Sequence, residues 1–314
     1  MEQKTITVKK MNQPSISRRY LGDLAAHPDA IWMVIPAILM FLVFCVYPVI
    51  NVFLLGFTEY DGMTVAKFTG LYNYVRVFKD TTWWTAVNNT FVIGLGTIAL
   101  QIPLALGLAI ILNSEIRGQN FYRAAIFIPN ITSQAIMGMI FYFIFQTGNG
   151  IFNEILKVIG VIDFPIDWLG KSGTAKLVVV LFATWFHTGL KMIFFLAALQ
   201  NIPIDVYESA AIDGTNSGQK FWYITLPMLG NMFRVIVMLS IIDALKLFDS
   251  IKTITDGGPG SATNVMSTYI YNYYFSPNFI SQQGYASAVS MVATIIISII
   301  AVIYLQSSKK FGEN

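Results

Sequence analysis

Apolar residues occur along this chain in long runs separated by shorter polar segments. A helix needs about 20 predominantly apolar residues to cross the hydrocarbon core of a bilayer. Because backbone in lipid must satisfy its own hydrogen bonds, such runs predict an all-α, polytopic membrane protein with six transmembrane helices. The predicted spans are Ile31–Phe57, Val87–Leu112, Ala124–Phe145, Lys176–Leu199, Met228–Ile251 and Tyr285–Leu305.

The polar segments suggest how the chain is organised around the membrane. A leader covers residues 1–30, the transmembrane region covers 31–305, and a short tail covers 306–314. The leader is rich in Lys and Arg, and basic residues favour the cytoplasmic side of a membrane. We therefore expect a cytoplasmic N-terminus. Six spans then return the C-terminus to the same side and place the loop at 203–227 in the cytoplasm.

Two segments on the opposite, outer side combine aromatic and charged residues at helical spacing. These segments cover about 58–86 and 147–175. Their pattern predicts short amphipathic helices that lie at the membrane surface. Such helices either contact a partner outside the cell or only brace the helix bundle, and the pattern does not distinguish these roles.

Composition agrees with membrane insertion and excludes several other classes of protein. The chain is 55% hydrophobic and only 12% charged, whereas soluble proteins carry about 25% charged residues. The net charge of +3 is small, and no basic patch indicates nucleic acid. Cys45 is the only cysteine, so an internal disulfide is excluded. His27 and His187 are too far apart in sequence to suggest a zinc site.

Several ionisable or polar residues lie inside predicted spans, where they are costly unless they face a wet cavity or a partner. They predict a polar path for a substrate, and carboxylates with nearby tyrosines suit sugar hydroxyls and ring faces. The residues are His187 and Lys191 in span four; Asp243, Lys246, Asp249 and Ser250 in span five; and Tyr269, Tyr273 and Tyr285 near the outer mouth.

Two further interpretations of these charges remain open. Asp243 and Lys246 could simply pair with each other, because their spacing places them on one face of a continuous helix. Alternatively, Lys191 and Lys246 could make the cavity cationic and favour an acidic saccharide.

The loop at 203–227 has the signals of a short rigid helix that projects from the membrane and returns to it. Pro203 favours a helix start, and Asp205 and Glu208 suit the first turns through the helix dipole. Gly214 can end the helix in a left-handed conformation. Leu226 and Pro227 then lead back into the membrane. The alternative is an ordinary amphipathic connector.

The residues of this loop resemble a known motif. Glu208, Ala210, Gly214, Ile224, Leu226 and Pro227 match the EAA loop (EAAxxxG followed by IxLP) of permease subunits of ABC importers, with Ser209 in place of the usual second-position Ala. The resemblance implies a type I ABC importer permease fold, in which this loop couples to an ATPase. The coupling residues are then Glu208, Ser209, Ala210, Ala211, Asp213, Gly214, Ile224, Leu226 and Pro227.

A second segment narrows the resemblance to carbohydrate permeases. Thr255, Gly257, Gly258 and Pro259, followed by Thr263, are similar to the TxGGPxxxT segment of glycerol-phosphate-type and maltose-type sugar permeases. The resemblance implies a transmembrane subunit of an ATP-driven oligosaccharide importer in a bacterial inner membrane. Its implied partners are a second permease, an ATPase dimer, an extracytoplasmic solute-binding protein, the sugar and the lipid bilayer.

No enzymatic activity and no cofactor are expected for this chain. The sequence contains no GxxxxGK[ST] phosphate-binding loop, so ATP and Mg²⁺ are expected in the partner ATPase. Two alternatives are a permease for amino acids or peptides and an ion-coupled secondary transporter. The glycine-rich segment at 255–260 argues against the first. The second usually shows an internal repeat, which is not evident in this sequence.

Overall fold

The computed structural model describes residues 28–114, 116–275 and 281–310. The chain forms two compact units, Met1–Leu54 and Leu55–Asn314. The first unit contributes α1 (Pro28–Phe41), which continues through a π-helical turn (Leu42–Val46) into α2 (Tyr47–Leu55). The stretch Trp32–Leu55 is long and apolar enough to cross a membrane, and its side chains are almost all exposed. It corresponds to the first predicted span.

The second unit is almost entirely helical. Its only described strands are two short antiparallel ones that pair Thr58 with Phe68 and Glu59 with Lys67. In chain order its elements are β1 (Thr58–Glu59), β2 (Lys67–Phe68), α3 (Tyr72–Lys79), α4 (Thr81–Asn113), α5 (Gln119–Ile131), α6 (Gln134–Phe145), α7 (Ile151–Val158), α8 (Ser172–Gln200), α9 (Ile204–Ile212), α10 (Ser217–Lys220), a π-helical turn (Phe221–Thr225), α11 (Leu226–Met228), α12 (Gly230–Leu245), α13 (Asp249–Ile254), α14 (Met266–Phe275) and α15 (Gln283–Lys310).

Four described stretches are long and apolar enough to cross a membrane unbroken. They are Trp32–Leu55, α4, α8 and most of α15, and they match predicted spans one, two, four and six. Two bent helix pairs bring the number to six if each pair counts as one span. The all-α, polytopic prediction is therefore confirmed.

The third and fifth predicted spans are not straight helices. The third is bent by 98° between α5 and α6. The fifth ends at Leu245, and the chain restarts as α13 only at Asp249. At the beginning of the fifth span, the segment Ser217–Met228 meets α12 at 70°. The predicted range 228–251 therefore combines parts of three helices.

Apolar packing along α4 holds the second unit together in three layers. At one end, Trp83 and Val87 pack with Tyr269, Tyr285 and neighbouring residues of α15. In the middle layer, Ile93 packs with Val178–Phe186 of α8. At the other end, the residues from Ile102 to Leu112 pack with Met192–Leu199. The α4 and α8 helices make the most extensive contact in the molecule.

The packing directions of the helices alternate as successive membrane crossings require. The α4 and α8 helices run parallel, because the early and late parts of one pack against the early and late parts of the other. The α5 helix runs antiparallel to α8, since Asn130 reaches the Phe186 carbonyl and Gly189 lies against Ile126. The α12 helix runs antiparallel to α15, where Arg234 Nη1 donates to the Ser308 carbonyl at 2.7 Å. These directions place the loop at 203–227 at the end opposite the β1–β2 pair.

The predicted short helices in the two outer segments are present as α3 and α7. The strand pair beside α3 was not predicted. Asn73 joins these elements, because its side-chain amide donates to the carbonyls of Gly56 at 3.2 Å and Thr58 at 2.8 Å.

Candidate functional site

The loop at 203–227 forms a helix whose end is fixed by backbone hydrogen bonds. The α9 helix follows Pro203 and stops where Gly214 adopts a positive φ of 73°. The amide of Gly214 donates to Ala211 O, and the amide of Thr215 donates to Ala210 O, both at 3.1 Å. This is a Schellman motif, and its left-handed position favours glycine. The predicted role of Gly214 as a helix terminator is confirmed.

The second half of the loop is capped and tied back to α9. Asn216 and Gln219 form a reciprocal capping box that starts α10. The hydroxyls of Tyr207 and Thr225 are hydrogen-bonded at 2.9 Å. Thr225 and Ala210 are buried, so α9 and the π-helical turn support each other. The loop therefore has a fixed shape rather than that of a loose connector.

The residues predicted to couple to a partner lie together on this loop, and most are exposed. Glu208, Ser209, Ala211, Asp213 and Gly214 are exposed on and just after α9, whereas Ala210 packs inward. Ile224 and Leu226 are partly buried where the chain turns back, and Pro227 is exposed beside them.

The end of α9 carries an exposed apolar side chain. Ile212 is 88% exposed and lies in the last turn of the helix. Trp222 and Tyr223, in the following turn, are also largely exposed. Adjacent exposed apolar residues on a rigid projection are typical of a protein contact surface.

The predicted polar path contains an ion pair between two spans. Lys191 Nζ on α8 lies 2.7 Å from Asp243 Oδ2 on α12. The Lys191 side chain is 2% exposed and the Asp243 side chain 34% exposed, so the pair reaches open space only from its acidic side. His187, one turn before Lys191, interacts electrostatically with both residues. The structure therefore brings His187, Lys191 and Asp243 together.

The pairing predicted between Asp243 and Lys246 is not found. That prediction assumed a continuous helix, but α12 ends at Leu245 and Lys246 lies exposed just beyond it. Asp243 pairs across the helix interface instead. Asp249 is exposed at the start of α13, and Ser250 is fully buried. The break between Leu245 and Asp249 therefore removes the continuous helical face that this pairing required.

Three uncharged polar residues in the packed spans were not predicted as part of the site. Gln101 on α4, Thr184 on α8 and Ser240 on α12 each bury a polar side-chain atom that has no hydrogen-bond partner among the described residues. These three helices pack on one another. Uncharged polar residues inside apolar spans are the sequence signal that would have identified them.

The glycine-rich segment forms a closed turn at the end of the second unit that also holds the β1–β2 pair. Gly257 has a φ of 84°, which favours glycine at this position. The hydroxyls of Thr255 and Thr263 lie 2.7 Å apart, and Thr263 Oγ1 donates to the Gly258 carbonyl at 2.6 Å. Asn89 Nδ2 on α4 donates to the carbonyls of Ser261 and Asn264, which hold the end of this turn against α4. The threonines and glycines that resemble the TxGGPxxxT segment therefore determine the backbone path of this turn, which leads through Pro259 to α14.

Two of the tyrosines predicted to face a sugar are instead buried in a hydrogen-bonded cluster around Asp80. The hydroxyls of Tyr269 and Tyr285 both donate to Asp80 Oδ2, the latter at 2.6 Å. The other oxygen of Asp80 caps α4 by accepting from the amides of Thr82 and Trp83. Burial opposes ionisation of Asp80, but these four hydrogen bonds outweigh it and lower its pKa. Tyr269 and Tyr285 are therefore structural, and Tyr273 packs against both rings.

Comparison with known proteins identifies related permeases over most of the chain. The chain is 35% identical to the lactose transport system permease protein LacF of Rhizobium radiobacter over 89% of this chain and 94% of that protein. It is also 35% identical to the arabinooligosaccharides transport system permease protein AraP of Bacillus subtilis over 88% of both chains. The trehalose/maltose transport system permease protein MalF of Thermococcus litoralis is 33% identical over 87% of this chain and 91% of that protein.

A solved structure shares the fold at lower sequence identity. It is a bacterial ABC transporter involved in the import of the acidic polysaccharide alginate, which matches 94% of this chain and 99% of its own with a TM-score of 0.81 and 21% identity. The match confirms the predicted ABC importer permease fold. The family model for the inner membrane component of binding-protein-dependent transport systems matches residues 101–310. This chain therefore belongs to the family of inner membrane components of binding-protein-dependent transport systems.

Proposed function

We propose that this chain is a transmembrane permease subunit of an ATP-driven importer of neutral oligosaccharides. The observation that carries the proposal is the loop at 203–227, which has a fixed shape, joins two spans and carries exposed apolar side chains at the end of α9. The related permeases named for lactose, arabinooligosaccharides and trehalose/maltose support a sugar as the substrate.

The substrate path is proposed to pass the Lys191–Asp243 pair. Lys191 contacts only one carboxylate oxygen, which leaves Asp243 Oδ1 to accept a hydrogen bond from a sugar hydroxyl. Gln101, Thr184 and Ser240 bury further polar atoms between the adjoining helices. Because Asp243 neutralises Lys191, the site favours a neutral sugar. The acidic-saccharide hypothesis, which needed a free Lys191 charge, loses its main support.

Coupling is proposed to run through α9 to a separate ATPase. ATP and Mg²⁺ would bind to that partner, because this chain carries no phosphate-binding loop. Closure of an ATPase dimer would pull on the exposed face around Glu208 and Ile212. The Schellman motif and the Tyr207–Thr225 hydrogen bond would then transmit the movement to α12 with little local deformation.

The remaining partners complete an alternating-access cycle. A second permease would form the other half of the path. An extracytoplasmic binding protein would deliver sugar to the outer segments at 58–86, 147–175 and 255–284. The N- and C-termini would lie in the cytoplasm, on the same side as the loop at 203–227.

The test is uptake by the reconstituted transporter. The permease pair, the ATPase and the binding protein would be placed in liposomes, and ATP-dependent uptake of labelled lactose, maltose and arabinotriose measured. Glu208→Lys should abolish uptake while leaving the amount of assembled complex unchanged. Arg117→Glu serves as the control and should retain uptake. It reverses the charge of an exposed residue in the loop between α4 and α5, at the same end of the second unit as the loop at 203–227. Full uptake by Glu208→Lys would contradict the coupling role.

A further inference from the structure

A polar cavity of about 930 Å³ lies at the outer end of the second unit, and its lining does not include Lys191 or Asp243. The β1–β2 segment and α3 form one wall, and the other is formed by Ser281 and Gln282, just before α15, and by Tyr285 in its first turn. Its lining includes Glu59, Tyr60, Asp61, Lys67, Tyr72 and Arg76. The volume falls within the range of about 300–1,000 Å³ that is typical of small-molecule sites.

Specific contacts hold the walls of this cavity in place. The Gly284 amide donates to the Tyr60 carbonyl at 3.0 Å. Arg76 Nη1 donates to Gln282 Oε1 at 2.7 Å, and its guanidinium lies 4.0 Å from the centre of the Tyr285 ring. Tyr285 is in turn hydrogen-bonded to Asp80. The cavity is therefore shaped before any ligand arrives.

The loop at the mouth of the cavity is also ordered by its own side chain. Asp61 Oδ1 accepts from the amides of Met63 and Thr64 and from the Thr64 hydroxyl, at 2.8–2.9 Å. The hydrogen bonds from Thr64 and Met63 lower the pKa of Asp61 to about 2. The carboxylate thus remains charged at neutral pH, and its second oxygen is available to a ligand.

The chemistry of the lining suits an uncharged, hydroxyl-rich ligand. Glu59 and Asp61 offer carboxylate acceptors, and Lys67 and Arg76 offer donors. Their formal charges cancel, so the cavity has no net charge with which to attract an anion. The Tyr72 ring is 66% exposed at the rim and presents an aromatic face for ring C–H groups.

We propose that this cavity is an outer saccharide subsite, where a neutral sugar is held between its release by the binding protein and its entry into the path. The proposal rests on the sugar-importer function above. It assigns to this chain a second sugar contact, separate from the Lys191–Asp243 site and available before ATP is used.

The test uses the complete transporter in nanodiscs, without binding protein and without ATP. Saturation-transfer difference NMR would detect weak binding of lactose, maltose and arabinotriose at millimolar concentration. Tyr72→Ala should reduce the signal of the bound sugar at least threefold, and Tyr72→Phe should retain it because the ring face remains. Phe78→Ala is the matched control, since Phe78 is a similarly exposed aromatic residue of α3 outside the cavity lining.

The outcomes separate this proposal from the proposed function. A transporter that takes up these sugars but gives no signal with any of them would overturn the subsite and leave the importer intact. Equal losses of the bound-sugar signal in Tyr72→Ala and Phe78→Ala would also overturn the subsite proposal. If Tyr72→Ala impairs uptake while sugar binding is unchanged, the cavity is a contact for the binding protein, and the subsite proposal is wrong.

Discussion

The two side chains of the Lys191–Asp243 pair differ sharply in their exposure. The lysine side chain is 2% exposed, and the aspartate side chain is 34% exposed. Removing one partner of a buried ion pair leaves the other charge uncompensated, which costs about 3–5 kcal/mol when that charge is fully buried. The two possible single substitutions should therefore have unequal effects on stability.

Asp243→Asn is expected to destabilise the permease by about 3–5 kcal/mol, because it leaves Lys191 buried without its counter-charge. Lys191→Met should cost less, since the remaining carboxylate reaches open space. Thermal unfolding of the purified complex would measure both. The double variant Lys191→Met/Asp243→Asn should be more stable than Asp243→Asn alone. Equal losses in the two single variants would contradict the asymmetry.

Asp80 provides a test at the residue scale that depends on pH. Asparagine caps a helix about as well as aspartate, so Asp80→Asn isolates the loss of charge toward Tyr269 and Tyr285. Hydrogen bonds to charged groups contribute about 1.5–3 kcal/mol each, and a loss of about 1–3 kcal/mol is expected at pH 7. Because the folded-state pKa is lowered, the stabilisation is present above the ordinary value of 3.8 and is lost as the pH falls through the folded-state pKa.

The measurement is thermal unfolding of wild type and Asp80→Asn between pH 7 and pH 3. The difference in thermal stability between the two proteins should be largest at neutral pH and should shrink toward pH 3. A difference that does not change with pH would show that the carboxylate charge is not what holds the tyrosines.

At the scale of elements, the proposed coupling route passes through the end of α9. Gly214→Ala places a Cβ at a φ of 73° and should cost about 1 kcal/mol at the helix end. Gly214→Pro should abolish sugar uptake while the permease still inserts, because proline cannot adopt this φ and cannot donate to Ala211 O. Gly218→Ala, in the same loop without a positive φ, is the control and should transport normally. Full uptake by Gly214→Pro would show that this helix end is not needed.

The elements also show what the sequence could and could not predict. The spans that became α4, α8 and α15 were predicted because length and hydropathy alone define a straight crossing. The breaks near Thr132 and at Lys246–Phe248 were missed, because an apolar run looks the same whether it is straight or bent. The α9 helix was predicted well, since Pro203 and Gly214 signal its ends locally.

The candidate site was predicted less completely than the fold, because it depends on contacts between helices. The charged residues in spans four and five were identified from their burial cost. The actual partner of Asp243, Lys191, was not among the pairings considered, because sequence spacing reveals neighbours along one helix but not contacts between helices. For the same reason, Tyr269 and Tyr285 were predicted to face a sugar, although their hydroxyls donate to Asp80.

At the scale of the whole molecule, the alternating helix directions predict which loops share a side of the membrane. Cys45 is the only native cysteine, so Cys45→Ser gives a background for single-cysteine labelling. A cysteine at Thr64 should react with a membrane-impermeant maleimide in right-side-out vesicles. A cysteine at Ser217 should react only after the membrane is opened. Labelling of both positions in sealed vesicles, or the reverse pattern, would contradict the proposed orientation.

We propose that this chain couples an external ATPase to the passage of a neutral sugar. ATP hydrolysis by the complete transporter in nanodiscs would test this coupling, with the binding protein loaded with neutral or acidic oligosaccharides. We expect several-fold stimulation of ATP hydrolysis by the neutral class and little by the acidic class. Stimulation by the acidic class alone, or by no oligosaccharide in a fully assembled complex, would contradict this proposal.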